Sequence, residues 1–238
     1  MKQPLRWPGW LPTIAAVLGL LLTLSAARWQ FGRAAYKEQL AADYAARQRA
    51  SVVHLGTTDE PADIRFRRVE ATGEFLSAHT IYLDNRVRDG VAGFEVVTPL
   101  KSANGGEAVL VNRGWIARGP HRSELPAVVT PRGPVTVIGT AVVPPEHVYE
   151  LSTATVEGRI WENLVLSRYR RAFRLEVRDF VIEQQNDLGD RLLRQWTAPG
   201  FGIERHKSYA AQWLIFAALI AFFYVYHGFI RRKNRSPQ

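Results

Sequence analysis

The sequence contains no cysteine. That absence excludes disulfides, thiolate metal sites and thiol redox chemistry, so any folded region must be held by its own core. Enzyme signatures are missing too. Gly105 and Gly106 are not followed by the Lys-Ser or Lys-Thr of a phosphate-binding loop, and no G-x-S-x-G elbow or H-E-x-x-H pair occurs. The six histidines (His54, His79, His121, His147, His206, His227) include no closely spaced pair that would suggest a metal site. The acidic residues are scattered, and nothing in the sequence singles out one carboxylate pair. The expectation is a protein without catalytic residues or a metal centre, and not an enzyme.

Charge is absent from two long stretches. Residues 8–27 carry none, and residues 208–230 carry none apart from the titratable His227. Each reaches the roughly 20 residues that a helix needs to cross about 30 Å of hydrocarbon. The flanking tails lack acid: Lys2 and Arg6 precede the first stretch, and Arg231, Arg232, Lys233 and Arg235 follow the second. Of the net charge of +9 these six cations account for most, since the remaining 25 basic residues face 22 acidic ones. Basic tails are retained on the cytoplasmic side. Both termini are therefore expected in the cytoplasm, with the central segment outside. Cations placed there meet anionic membrane lipid rather than nucleic acid. The triplet Ser25-Ala26-Ala27 resembles a signal-peptide cleavage site, but the apolar run exceeds the usual signal core, which favours an uncleaved anchor.

The domain plan that follows is a cytoplasmic tail (1–9), a transmembrane helix (10–28), a helical extension outside the membrane (29–50), an external mainly-β domain (51–205), a second transmembrane helix (206–230) and a basic tail (231–238). Residues 29–49 are rich in Ala, Leu, Gln, Glu and Arg without proline, so one helix is expected to leave the bilayer and run on to about Arg49. Beyond it, short runs rich in Val, Ile, Tyr, Phe and Thr predict strands over 66–75, 80–87, 94–100, 108–116, 135–143, 148–151 and 159–163, separated by Gly, Pro and Asn turns. A short helix over 167–172 and a final strand over 175–183 complete the pattern. The fold class is a membrane protein of α+β type, with two transmembrane helices flanking a mainly antiparallel barrel or small sandwich.

The ends of the central segment carry the most suggestive chemistry. Trp29-Gln30 sits where the first apolar run ends, and Glu204-Arg205-His206-Lys207 sits where the second begins, followed by Tyr209, Gln212 and Trp213. The segment leaves and re-enters at one membrane face, so these groups can meet. His206, Tyr209, Ala210 and Trp213 fall at i, i+3, i+4 and i+7 and share one helix face. An aromatic belt with snorkelling cations accounts for most of the set, but less well for Gln212. If a ligand is held there, neutral imidazole is a natural axial ligand for haem iron, and Arg or Lys can pair with its propionates. His227 lies too far along the same helix to share an iron with His206.

Several motifs, in order, resemble the surfeit locus protein 1 family. Trp29-Gln30 with Arg33, Lys37 and Leu40 is similar to its W-Q-x-x-R-x-x-x-K-x-x-L signature. The strand ending Gly73-Glu74-Phe75, the run Tyr82-Leu83-Asp84-Asn85-Arg86, and Thr98-Pro99-Leu100 resemble its next elements. The most specific match is Val109-Leu110-Val111-Asn112-Arg113-Gly114-Trp115, followed by Arg205-His206 with Tyr209-Ala210 and Gln212-Trp213. The resemblance implies a non-enzymatic assembly factor for cytochrome c oxidase, acting on subunit I with the haem a synthesis machinery, at the haem a insertion stage. It implies transient haem a binding with His206 as ligand. Helix geometry adds Trp29, Gln30, Arg205 and Trp213 as lining residues. The short N-terminal tail fits a bacterial cytoplasmic membrane better than a cleaved organelle presequence.

Arg113 and Trp115 have two readings: a docking surface for the oxidase, or an interior tryptophan and a salt-bridged arginine that stabilise the domain. A cofactor-free scaffold is the alternative to haem delivery, with Ala211, Ala217, Ala218 and Ala221 offering close helix packing.

Overall fold

The computed structural model describes residues 9–56, 63–102, 105–121, 124–146, 156–196 and 200–230. In chain order the elements are α1 (Trp10–Arg49), β1 (Val53–His54), β2 (Arg68–Phe75), β3 (Ile81–Arg88), β4 (Val91–Lys101), β5 (Ala108–Ala117), β6 (Val135–Val142), β7 (Val156–Glu157), β8 (Ile160–Trp161), α2 (Leu166–Phe173), β9 (Val177–Gln184) and α3 (Ile203–Ile230). The strand expected over 148–151 lies outside the described residues. The chain divides into two compact units, residues 1–43 with 199–238, and residues 44–198.

The first unit is a helical hairpin. Proline occurs in α1 only at Pro12, in the first turn, where its missing N–H costs no helical bond. The helix then runs for 40 residues, about 60 Å at 1.5 Å per residue. It and α3 are both long and apolar enough to cross a membrane, and only 11% of the apolar window of each is buried within the protein. Side chains such as Leu18, Leu21, Leu22, Phe216, Phe222 and Phe223 point outward. Exposed apolar surface of that extent requires lipid.

Apart from Gln30, what the hairpin buries is small. Thr23, Ala27, Gln30 and Ala34 are the buried positions of α1, and Ala210 and Ala217 are their counterparts on α3. Small residues let helix backbones approach closely in lipid, where the hydrophobic effect gives no help. A Cβ on Gly19 would come within 3.1 Å of Ile220 Cδ1. Of the alanines expected to pack, Ala217 does, whereas Ala211 and Ala218 face outward. Thr13 Oγ1 and Tyr224 Oη share a hydrogen bond of 2.8 Å near one end. Lys207 Nζ meets Glu38 Oε1 at 2.8 Å near the other, so the helices run antiparallel.

The second unit is a barrel with an extension. β2, β6, β9, β5 and β4 are neighbours in that order. The ring closes where Glu74 and Phe75 of β2 pair with Lys101 and Leu100 of β4. β3, β8 and β7 continue the sheet from β4, and β1 lies on β2. The pairings are antiparallel except β1–β2, β3–β8 and β5–β9. Pro99 lies within β4 without cost: β3 pairs only as far as Val97, and β2 begins at Leu100. A residue lacking an N–H is tolerated at such a change of partner.

Alternation along the strands separates two cores. Val109 and Val111 point into the barrel with Val69, Ala71, Val137 and Ile182. Leu110 points the other way, to Leu83, Val97, Val181 and the α2 residue Tyr169. With both faces covered, β5 is buried from Ala108 to Trp115. That is why it reads as an almost unbroken apolar run.

Candidate functional site

The hairpin brings two of the expected site residues together. His206 Nδ1 and Gln30 Oε1 lie 2.8 Å apart. Gln30 is buried in the helix seam, and His206 is half-buried in the first turn of α3. Two turns on, Trp213 is half-buried on the same face, with Ala210 fully buried between them. The other expected residues are not gathered in. Trp29 is 61% exposed because it is about 100° around α1 from Gln30. Arg205 is exposed, as is Tyr209, which lies off the face assigned to it from spacing.

Docking through Arg113 and Trp115 needs correction, since both side chains are interior. Arg113 is fully buried, and Trp115 is 5% exposed. The ladder between β4 and β5 shifts at Arg113, with Val96 opposite Gly114 and Val97 opposite Asn112. Arg113 is therefore the extra residue of a bulge, a device that re-aims a side chain. It lies over the Phe75 ring at 4.8 Å and donates to Asp190 Oδ2 at 2.9 Å. Gly114 has φ +140°, and a Cβ there would lie 2.8 Å from the Leu193 carbonyl oxygen. Trp115 then turns its indole N–H to the Arg86 carbonyl at 2.7 Å. The most distinctive motif of the sequence is thus structural in its side chains.

One feature has no counterpart in the sequence reading. Glu95 of β4, Asn112 of β5 and Glu183 of β9 stand on adjacent strands: Asn112 is in register with Glu183 and donates its amide to Glu95 Oε2 at 2.9 Å. The Glu183 carboxyl is pushed up to about 7, first by burial and then by Glu95, while Arg88 opposes the rise. The folded chain therefore holds this proton more tightly than the unfolded chain does. Glu183 imposes no penalty below its ordinary value of 4.5, and a growing one as pH rises towards about 7. Because the group is only half-buried, the full penalty is on the order of 2 kcal/mol. Glu183→Gln is expected to match the native protein near pH 5 and to melt about 5 °C higher near pH 8. Thermal unfolding across that range measures it, and a difference independent of pH contradicts the assignment. Burial and strand order create this group, so no local pattern could have flagged it.

Comparison with known proteins places these features in a family. The aligned stretches cover less than half of each curated relative. A SURF1-like protein of Monosiga brevicollis is 32% identical over 118 residues, 43% of this chain and 44% of the relative. A SURF1-like protein of Drosophila melanogaster is 29% identical over 149 residues, 49% of each. The cytochrome oxidase assembly protein SHY1 of Saccharomyces cerevisiae is 30% identical over 109 residues, 42% of this chain and 28% of the relative. The SURF1 family model matches residues 17–218, from the first apolar helix through the β unit and into the second, and the chain belongs to that family.

Proposed function

We propose that this chain is an assembly factor for cytochrome c oxidase that assists delivery of haem a to subunit I, in concert with the haem a synthesis machinery. The assembly role is supported by family membership and by the name of the yeast relative. The haem step is supported by one observation, the contact between His206 and Gln30. An amide oxygen only accepts, so in the neutral imidazole the proton sits on Nδ1 of His206 and the Nε2 lone pair is left for a ligand. A ligating histidine is commonly oriented by such a bond on its other nitrogen. The donor set therefore fits a haem.

His206 Nε2 would hold the iron, the neighbouring exposed Arg205 would pair with the propionates, and Trp213 would supply an aromatic flank, whereas Trp29 points away from the contact. Haem a, when bound, would supply a redox-active iron centre, which a neutral imidazole can ligate. The chain's own part is to orient the imidazole through Gln30 and to bind only moderately, since a tightly held group would not be handed on. No catalytic group takes part in this reading. The basic tails support cytoplasmic termini and a periplasmic β unit, in a bacterial cytoplasmic membrane.

The test is the absorption spectrum of detergent-purified protein from cells that make haem a. His206→Ala is expected to lower haem content at least tenfold, and Gln30→Leu about tenfold, without lowering the thermal midpoint. A spectrum unchanged in His206→Ala rejects that ligand. A colourless native protein that still co-purifies with oxidase subunits rejects the haem step and favours the cofactor-free scaffold.

A further inference from the structure

The β unit contains a cleft of about 510 Å³ whose lining includes Asn85, Arg86, Arg88, Glu95, Glu183 and Trp196. Its walls are fixed. The Trp196 indole donates to the Gln184 carbonyl at 2.6 Å. Arg88 Nη1 donates to the Gln195 carbonyl at 2.9 Å, and its guanidinium lies 5.5 Å from the Trp196 ring centre. Arg86 and Arg88 also approach Glu95, at 3.5 and 3.7 Å. Both cations of the cleft are therefore engaged, as are the Asn112 amide nitrogen and the Glu95 carboxylate.

Two acceptors are not engaged. Among the described residues, no hydrogen bond or ion pair reaches the Glu183 carboxylate. Asn112, its neighbour in register, is 6% exposed, and its Oδ1 is buried without a donor. Buried polar atoms in native structures nearly always find a partner, so a cleft-lining carboxylate without one, in register with a buried orphaned acceptor on the next strand, marks a place for a donor. A metal ion is disfavoured by the ligand set, since no group of three or more His, Asp or Glu able to hold one occurs among the described residues.

We infer that this cleft binds a cationic N–H donor, an ammonium or guanidinium group, which the Glu183 carboxylate takes. The charges around it permit this. Arg86, Arg88 and Asp89 face Glu183 from the β3–β4 hairpin, Glu95 from β4, and the Tyr44 phenol from the end of α1. Thr140 of β6 and Trp196 bring no charge. With Glu183 ionised the cleft holds three carboxylates against two guanidiniums, so an added cation is attracted. Trp196 offers apolar surface to the stem of a cationic side chain. The inference stands on the β unit alone and goes beyond haem delivery. The same chemistry is offered by a lysine or arginine of a partner polypeptide and by a free amine.

The test uses the full chain in detergent micelles near pH 7.5, with glutamate carboxyls labelled for NMR and affinities from calorimetry. Methylguanidinium and butylammonium are expected to lower the Glu183 titration midpoint by about one unit. Tetramethylammonium, which has no N–H, is expected to leave it in place. Glu183→Gln, which should be the more stable protein at this pH, is expected to bind methylguanidinium at least tenfold more weakly. A midpoint unmoved by methylguanidinium, one moved equally by tetramethylammonium, or undiminished binding in Glu183→Gln overturns the inference. An end-blocked pentapeptide with a central lysine that binds about tenfold better than butylammonium assigns the site to a polypeptide. Equal affinity assigns it to a small amine.

Discussion

Replacing Arg113 with alanine is expected to lower the stability of the β unit by about 3–5 kcal/mol. Arg113 and Asp190 are both fully buried, and their bond is 2.9 Å long. The guanidinium also donates to Thr130 Oγ1 at 2.8 Å and to the Val129 carbonyl at 2.7 Å, tying a loop to the barrel. Burial pulls the Arg113 pKa down and Asp190 pushes it back up, which is the balance expected of a desolvated pair. Truncation leaves three acceptors short of a donor, of which only Asp190 keeps another cation, Arg194. Asp190→Ala is expected to cost at least as much, since it leaves Arg113 buried without its carboxylate and Arg194 with Asp187, at 3.1 Å, as its remaining anionic partner among the described residues. The double variant Arg113→Met, Asp190→Leu is expected to be less damaging than the two single effects together, because it leaves no lone charge at the pair. Unfolding midpoints followed by tryptophan emission measure this, with about 10 °C lost in either single variant. A change of less than about 2 °C in Arg113→Ala would show that the pair contributes nothing net.

The second large effect is at Gly93. It pairs with Arg86 on one side and Ala117 on the other, near the start of β4. A Cβ there would run into the Ile116 carbonyl oxygen and the Trp115 ring. The indole lies across the glycine and is fixed by its bond to the Arg86 carbonyl, so it cannot swing aside without losing a partner. Gly93→Ala is expected to cost about 3 kcal/mol, the usual scale for forcing atoms into a packed site. The double variant Gly93→Ala, Trp115→Phe is expected to recover part of that loss by freeing space above the new methyl. Failure of the smaller ring to recover any stability would place the strain in the backbone contact with Ile116.

Helix and strand positions were legible because each rests on local pattern. The uncharged runs of the two helices, and the runs rich in β-branched and aromatic residues that predict strands over 80–87 and 108–116, survive as α1, α3, β3 and β5. The helix expected over 167–172 is Leu166–Phe173. The two-residue strands β1, β7 and β8 were not all readable, since so few residues carry no period. Alternation also held the answer for Arg113: Val109, Val111 and Arg113 are two apart, so a residue in line with two barrel-core valines was bound inward. The interior, salt-bridged arginine, one of the two readings its motif offered, is the one this spacing favours.

By itself the sequence determined the two lipid-facing helices, the β character between them, and the proximity of Gln30 to His206. Each of these follows from composition along the chain, or from the fact that a segment leaving one membrane face must return to it. Only the tertiary structure decided which strands are neighbours. β5 and β9 lie side by side in parallel although the whole of β6, β7, β8 and α2 intervenes. Period tells a side chain which face it takes, but not whose side chain stands beside it. That is why the buried arginine's partner, Asp190, and the open acceptors of Asn112 and Glu183 could be found only after the barrel had closed.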